Sequence, residues 1–166
     1  MSTHVPKQSG KKLWHAIVGG TVTALGIIGG IIGIYSFVHG CSFYDVSGQW
    51  AINNTMESTS YREFKGLKLG YRIFVTQSGT DITGTGEKWS ENDRALPSTA
   101  HTHIKLTGSI NGKKITATFQ EDGTERKTEG TLNWTYQPAT GNLIGTFTST
   151  SADSSGPSTG QRVPQQ

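Results

Sequence analysis

The pattern of apolar and polar positions changes character once along the chain. From Leu13 to Val38 apolar residues and glycines dominate, and no Asp, Glu, Lys or Arg occurs between Leu13 and Tyr44. At about 1.5 Å per residue, such a run crosses a hydrocarbon layer of about 30 Å as a helix with room for tilt. It also exceeds the roughly 7 to 15 apolar residues of a cleavable signal. The pattern therefore predicts an uncleaved single-pass transmembrane helix over 13–38, preceded by a basic arm, 1–12, and followed by a linker, 39–46.

Past Tyr44 the period becomes two. Leu67, Leu69, Tyr71, Ile73 and Val75 share one face of a strand, which Ser78-Gly79 turns into a second strand over 81–89. Asn111-Gly112 joins segments 103–110 and 113–120, and it is the strongest two-residue hairpin signal in the chain. Asp122-Gly123 leads into 126–136, and 137–141 leads into 142–149. Short alternating runs broken by turn signals predict an all-β domain.

One element recurs in these strands: an apolar residue or Thr, any residue, then glycine. It occurs as Val46-Ser-Gly48, Ile82-Thr-Gly84, Leu106-Thr-Gly108, Thr128-Glu-Gly130 and Leu143-Ile-Gly145. Parity puts each glycine on the inward face, where a missing side chain lets a strand coil and leaves room in a narrow barrel. The expected architecture is a seven- or eight-stranded antiparallel meander barrel over 47–149, with a two-sheet sandwich as the alternative. The Ser/Thr/Gly/Pro-rich segment 150–166 has too few apolar residues to offset ordering entropy, so it reads as a loose tail carrying at most a short closing strand at 159–163.

Composition supports this division. The 166 residues are 33% hydrophobic and 16% charged and include 22 glycines, a poor composition for a helical bundle. The formal net charge of +3 suggests a nucleic-acid partner, but between Asp45 and Phe147 eleven basic residues meet eleven acidic ones. The excess lies in the arm, and no field remains to draw a nucleic-acid polymer to the barrel. The arm contributes Lys7, Lys11 and Lys12, while Asp45 is the first charge after the apolar run. Basic flanks stay cytoplasmic, which predicts insertion in the inner (cytoplasmic) membrane with the N-terminus inside and the barrel periplasmic or extracellular.

Two further features concern the membrane segment. Ala16, Gly19, Thr23, Gly26, Gly30 and Gly33 form a small-residue stripe that permits close helix packing in lipid, so homo-oligomerisation through the helix is expected. Val38-His39-Gly40-Cys41 resembles a lipoprotein signal box, which makes Cys41 a candidate lipidation site. As the single cysteine, Cys41 has no partner for an intramolecular disulfide.

A meander puts alternate connections at opposite ends. The tight turns share one end with the start of the first strand, and the longer connections 57–66, 90–101 and 121–125 share the other, where a mouth should open. Inward parity at that end selects Asn54, Leu69, Lys88, Thr102, Phe119, Arg126 and Thr128 as ligand-binding candidates, with Ile104 beside them. Lys88 and Arg126 suit an anionic ligand group. Glu121 shares their parity, and an internal salt bridge is the competing arrangement. No catalytic set, metal site or cofactor is predicted: His101-x-His103 lacks a third ligand at a telling spacing, and no nucleophile elbow or phosphate loop occurs.

Gly48-x-Trp50 on the first strand resembles the opening motif of calycin barrels, which include lipocalins, fatty-acid-binding proteins and avidins. The run Thr131-Leu-Asn-Trp-Thr-Tyr136, followed by Leu143-Ile-Gly-Thr, is similar to avidin-type strands. The resemblance implies a ligand-binding barrel. It does not extend to biotin, because no tryptophan-bearing strand follows Phe147.

The resulting expectation is a membrane-anchored barrel that binds a small ligand or an envelope protein and performs no catalysis. Two other readings follow from the same features. In one, the barrel senses a nucleotide-like signal and the glycine-rich helices assemble to perturb the membrane; antiphage effectors of bacterial cyclic-nucleotide defence have a similar layout but carry two spans. In the other, a filled barrel serves as a structural envelope subunit.

Overall fold

The computed structural model describes residues 44–123 and 126–164. The apolar segment 13–38, with its stripe of Ala16, Gly19, Thr23, Gly26, Gly30 and Gly33, lies outside the described residues, as does Cys41. Among the described residues, no helix is long and apolar enough to cross a membrane.

The described chain forms nine strands: β1 (Gly48–Thr55), β2 (Lys68–Ser78), β3 (Asp81–Glu91), β4 (Arg94–Ala95), β5 (Thr102–Asn111), β6 (Lys114–Asp122), β7 (Lys127–Gln137), β8 (Asn142–Ser149) and β9 (Ser154–Arg162). Eight of them close an antiparallel barrel in the order β1-β2-β3-β5-β6-β7-β8-β9, because β9 pairs with both β8 and β1. Closure leaves no edges, which excludes the sandwich. The two-residue β4 pairs with Ser90 and Glu91 at the end of β3 and was not legible in the hydrophobic pattern.

The tight hairpins fall one residue later than the Ser-Gly and Asn-Gly signals suggest. Ser78 pairs with Asp81 and Asn111 with Lys114, so Gly79-Thr80 and Gly112-Lys113 occupy the turns. Gly79 and Gly112 have φ of +61° and +57°, while Thr80 and Lys113 stay at negative φ. Glycine alone supplies the left-handed first turn position, as in a type II′ turn, and Asn111 is released to serve as a strand residue.

The interior is narrow, and several of its large side chains face a glycine on one of the two adjacent strands. Phe119 pairs with Gly130, Trp134 with Gly145, Phe147 with Gly156, and both Ile52 and Leu143 with Gly160. A Cβ on Gly130 would come within 2.5 Å of the Phe119 ring, and one on Gly160 within 2.7 Å of Ile52 Cδ1. The inward glycines expected from parity are present, and β9 extends them.

On β9, Ser154, Gly156, Ser158 and Gly160 point inward and carry no apolar bulk, which is why this segment reads as a tail in the sequence. It is a full strand beginning at Ser154, not a loose tail with a stub at 159–163. Backbone hydrogen bonding to two neighbours, together with small residues under Phe147 and Trp134, holds it in place. The barrel accordingly runs to Arg162 and not to 149.

The end that carries the tight turns is plugged. Trp50 is fully buried, and its Nε1 donates to Val46 O at 2.8 Å. The Arg162 guanidinium lies 4.9 Å from the Trp50 ring centroid and donates to the carbonyls of Asp45, at 2.8 Å, and Ser47. Trp134 is core, and its Nε1 donates to Ser158 Oγ at 2.8 Å.

Gly160→Ala should destabilise the barrel by about 1–3 kcal/mol through overpacking against Ile52 and Leu143. Ile52→Val removes the methyl that the new Cβ meets. Urea denaturation of the single and double variants should therefore show a double variant less destabilised than the sum of the singles; strict additivity would contradict this account of the packing.

Candidate functional site

At the other end the barrel remains open inside, where an interior cavity of about 330 Å³ lies. Its apolar walls are Met56, Leu69, Tyr71, Phe119, Phe147 and Ala152, and its polar groups come from β3, β5, β6, β7 and the segment after β8. The connection between β1 and β2 reaches over this end, and Phe64 from its short 3-10 turn joins the walls. Backbone bonds from Met56 N to Leu67 O, from Glu57 N to Ser155 O and from Ser60 N to Ala152 O fasten that connection to the barrel.

A larger depression of about 780 Å³ lies on the outer face over Thr107, Thr118, Thr131 and Thr148. Those threonines are exposed or half-buried residues of ordinary strand faces. The smaller interior cavity is the better site, because it combines apolar walls with convergent polar groups.

Glu121 is the centre of the polar layer. It is 8% exposed; Oε2 accepts the Tyr71 hydroxyl at 3.1 Å and Oε1 accepts the Thr102 hydroxyl at 2.6 Å. Lys88 Nζ sits 3.5 Å from Glu121 Oε1 and 3.1 Å from Glu91 Oε1. The register explains this convergence, since Tyr71 pairs with Lys88 and Lys88 with Thr102, while Glu121 faces Thr128. A shift in register at Gly70 and Tyr71 accompanies the placement of Tyr71 against Lys88. Burial, and then the nearby Glu121 carboxylate, push the Tyr71 phenol well above its ordinary range, so it is a firm proton donor to Glu121.

Arg126, exposed and one residue ahead of β7, reaches the rim of the same cavity. Its Nη2 donates to Ser151 Oγ at 3.3 Å, and it forms no ion pair among the described residues. The two cationic candidates thus differ. Lys88 is held between two carboxylates, the internal salt bridge that competed with ligand binding in the sequence, whereas Arg126 rests on a neutral hydroxyl.

Six of the candidate residues line the cavity: Leu69, Lys88, Thr102, Phe119, Arg126 and Thr128. Asn54 does not. It is buried between Leu69 and Ser158, and Met56, two residues further on, takes the wall position. Ile104 is likewise core and not wall. Strand parity assigns a face but not a depth, and the stagger of tilted strands puts residues of equal parity at different levels. Parity also passed over Tyr71, Glu91, Ser149 and Ser151; of these, Tyr71 was legible as inward, and Ser151 lies in the segment read as tail.

The two histidines have different surroundings. His101 precedes β5, with Nδ1 at 3.1 Å from Glu87 Oε2 and Nε2 at 3.2 Å from Leu96 O, while His103 is exposed on the strand. No cluster of three or more metal-ligating side chains occurs among the described residues.

Fold and cavity together define a closed antiparallel eight-stranded barrel with one plugged end and one end containing an amphipathic cavity. Comparison with protein-family models, with curated proteins and with solved structures finds no match for the chain.

The Tyr71 phenol generates a pH prediction. In the unfolded chain it ionises near pH 10, whereas in the fold it keeps its proton well beyond that. The unfolded state therefore binds fewer protons above about pH 10, and the contribution of Tyr71 to stability, complete below that pH, is lost as pH rises. The urea midpoint of the protein should fall between about pH 9 and about pH 11, and Tyr71→Phe should make that fall shallower. Equal slopes in the two proteins would contradict the burial of this proton.

Proposed function

We propose that the protein is a membrane-tethered, calycin-like barrel that binds a small ligand in the cavity at its loop end and carries out no chemistry on it. The observation that carries this reading is the cavity itself, where apolar walls and a satisfied polar layer meet inside an otherwise tightly filled barrel. A purely structural barrel has no need of that space. The apolar run 13–38 supports the tether, and Lys7, Lys11 and Lys12 support an inside N-terminus with an exported barrel. The small-residue stripe supports self-association of the anchors.

At about 330 Å³ the cavity is near the lower end of ligand sites and roughly twice a cavity that holds benzene, so it suits a bicyclic body. The full chain in lipid nanodiscs should bind indole-2-carboxamide saturably, with empty nanodiscs as the calorimetric blank. Thr128→Trp, which fills the cavity, should abolish that binding without unfolding the barrel. Absence of saturable binding, or binding indifferent to the filling, would leave the structural-subunit reading in its place.

A compartment-specific reporter fused after Gln166 should report an external C-terminus in intact cells, and alkaline carbonate should fail to extract the chain from membranes. An internal C-terminus would reverse the charge-based orientation and favour a cytosolic barrel that senses a nucleotide-like signal.

A further inference from the structure

We infer that the cavity is selective for a small amphipathic anion, with Arg126 as the receptor for its carboxylate, phosphate or sulfate group and the aromatic wall as the seat of its body. The inference rests on the ligand-binding reading above and adds the charge and orientation of the ligand.

Three observations carry it. First, the charges that reach the cavity are unequally committed. Lys88 lies between Glu91 and Glu121, and Glu121 already accepts Tyr71 and Thr102, so a ligand would have to break a buried cluster to engage either. Second, Arg126 uses one guanidinium nitrogen on Ser151 Oγ and meets no carboxylate among the described residues. Its remaining donors have the fork geometry that pairs with carboxylate and phosphate oxygens. Third, the cavity wall offers the neutral hydroxyl of Ser151 beside Arg126 and that of Thr128, two residues further along the chain. These can donate to an anion without repelling it.

The same contacts favour the opposite choice less. A cationic ligand would meet the Arg126 guanidinium and would have to share both carboxylates of the cavity with Lys88. A neutral ligand would fit the apolar walls but form no ion pair with the solvent-exposed Arg126. The anion therefore sits by Arg126 and Ser151, and the ligand body extends toward Phe119 and Phe147.

The test compares two probes of the same shape. Indole-2-carboxylate and indole-2-carboxamide differ in charge at one group, and calorimetry on the full chain in nanodiscs reads both. The carboxylate should bind at least about ten-fold more tightly than the carboxamide. Arg126→Gln should remove most of that difference, and Lys88→Gln should not imitate it. Equal affinities in the parent protein, or a preference that survives Arg126→Gln, would overturn the anion receptor while leaving the ligand-binding reading intact. If neither probe binds, that reading fails and the receptor with it. Titration with inorganic phosphate and sulfate then separates recognition of the anion alone from recognition of an anion on an apolar body: competition at equal strength by the inorganic ions would overturn the amphipathic part of the proposal.

Discussion

The width of the barrel constrains everything inside it. Eight tilted strands enclose a space that side chains just fill, so a large residue packed against another on one side needs a small one on the other. This chain meets the constraint by pairing Phe119, Trp134 and Phe147 with glycines and by making β9 almost wholly of small residues. Packing of this kind is unforgiving, because interiors at crystal-like density transmit any added methyl group to their neighbours. The cavity forms at the end where inward positions are occupied by Lys88, Thr102, Glu121 and Thr128, the first three of which gather their polar ends into one cluster instead of filling the axis.

Much of this arrangement was legible in the sequence. The alternation of Leu69, Tyr71, Ile73 and Val75, the inward glycines and the meander order all appear in the structure. The candidates Lys88, Thr102, Phe119, Arg126 and Thr128 converge on one cavity because parity and turn order suffice to place them at one end. What escaped had physical causes. Asn54 failed because parity carries no information about depth. The strand β9 failed because apolar burial was taken as the mark of an ordered segment, while here order comes from ladder bonds on both sides and the inward positions must be small. The spacing Ser154-x-Gly156-x-Ser158-x-Gly160 was the available signal: a period-two pattern of size, not of hydrophobicity.

The two ends of the barrel solve opposite problems with similar chemistry. At the plugged end an arginine, Arg162, covers Trp50 and gives its donors to backbone carbonyls, so its charge is spent on fixed protein groups. At the open end Arg126 meets a serine hydroxyl. The energetic contrast between the cavity cations is sharper still. Removing one partner from a buried ion pair costs up to about 3–5 kcal/mol; Lys88 and Glu121 keep 18% and 11% of their side-chain surface, so their cluster falls below that limit but remains costly to disturb. A neutral hydrogen bond such as that to Ser151 is worth only about 0.5–1.5 kcal/mol. An arriving anion can therefore replace or share the Arg126 contact at little cost, whereas it gains nothing by pulling Lys88 from two carboxylates. The fixed cluster shapes the floor, and the weakly held arginine is the group left to recognise what enters.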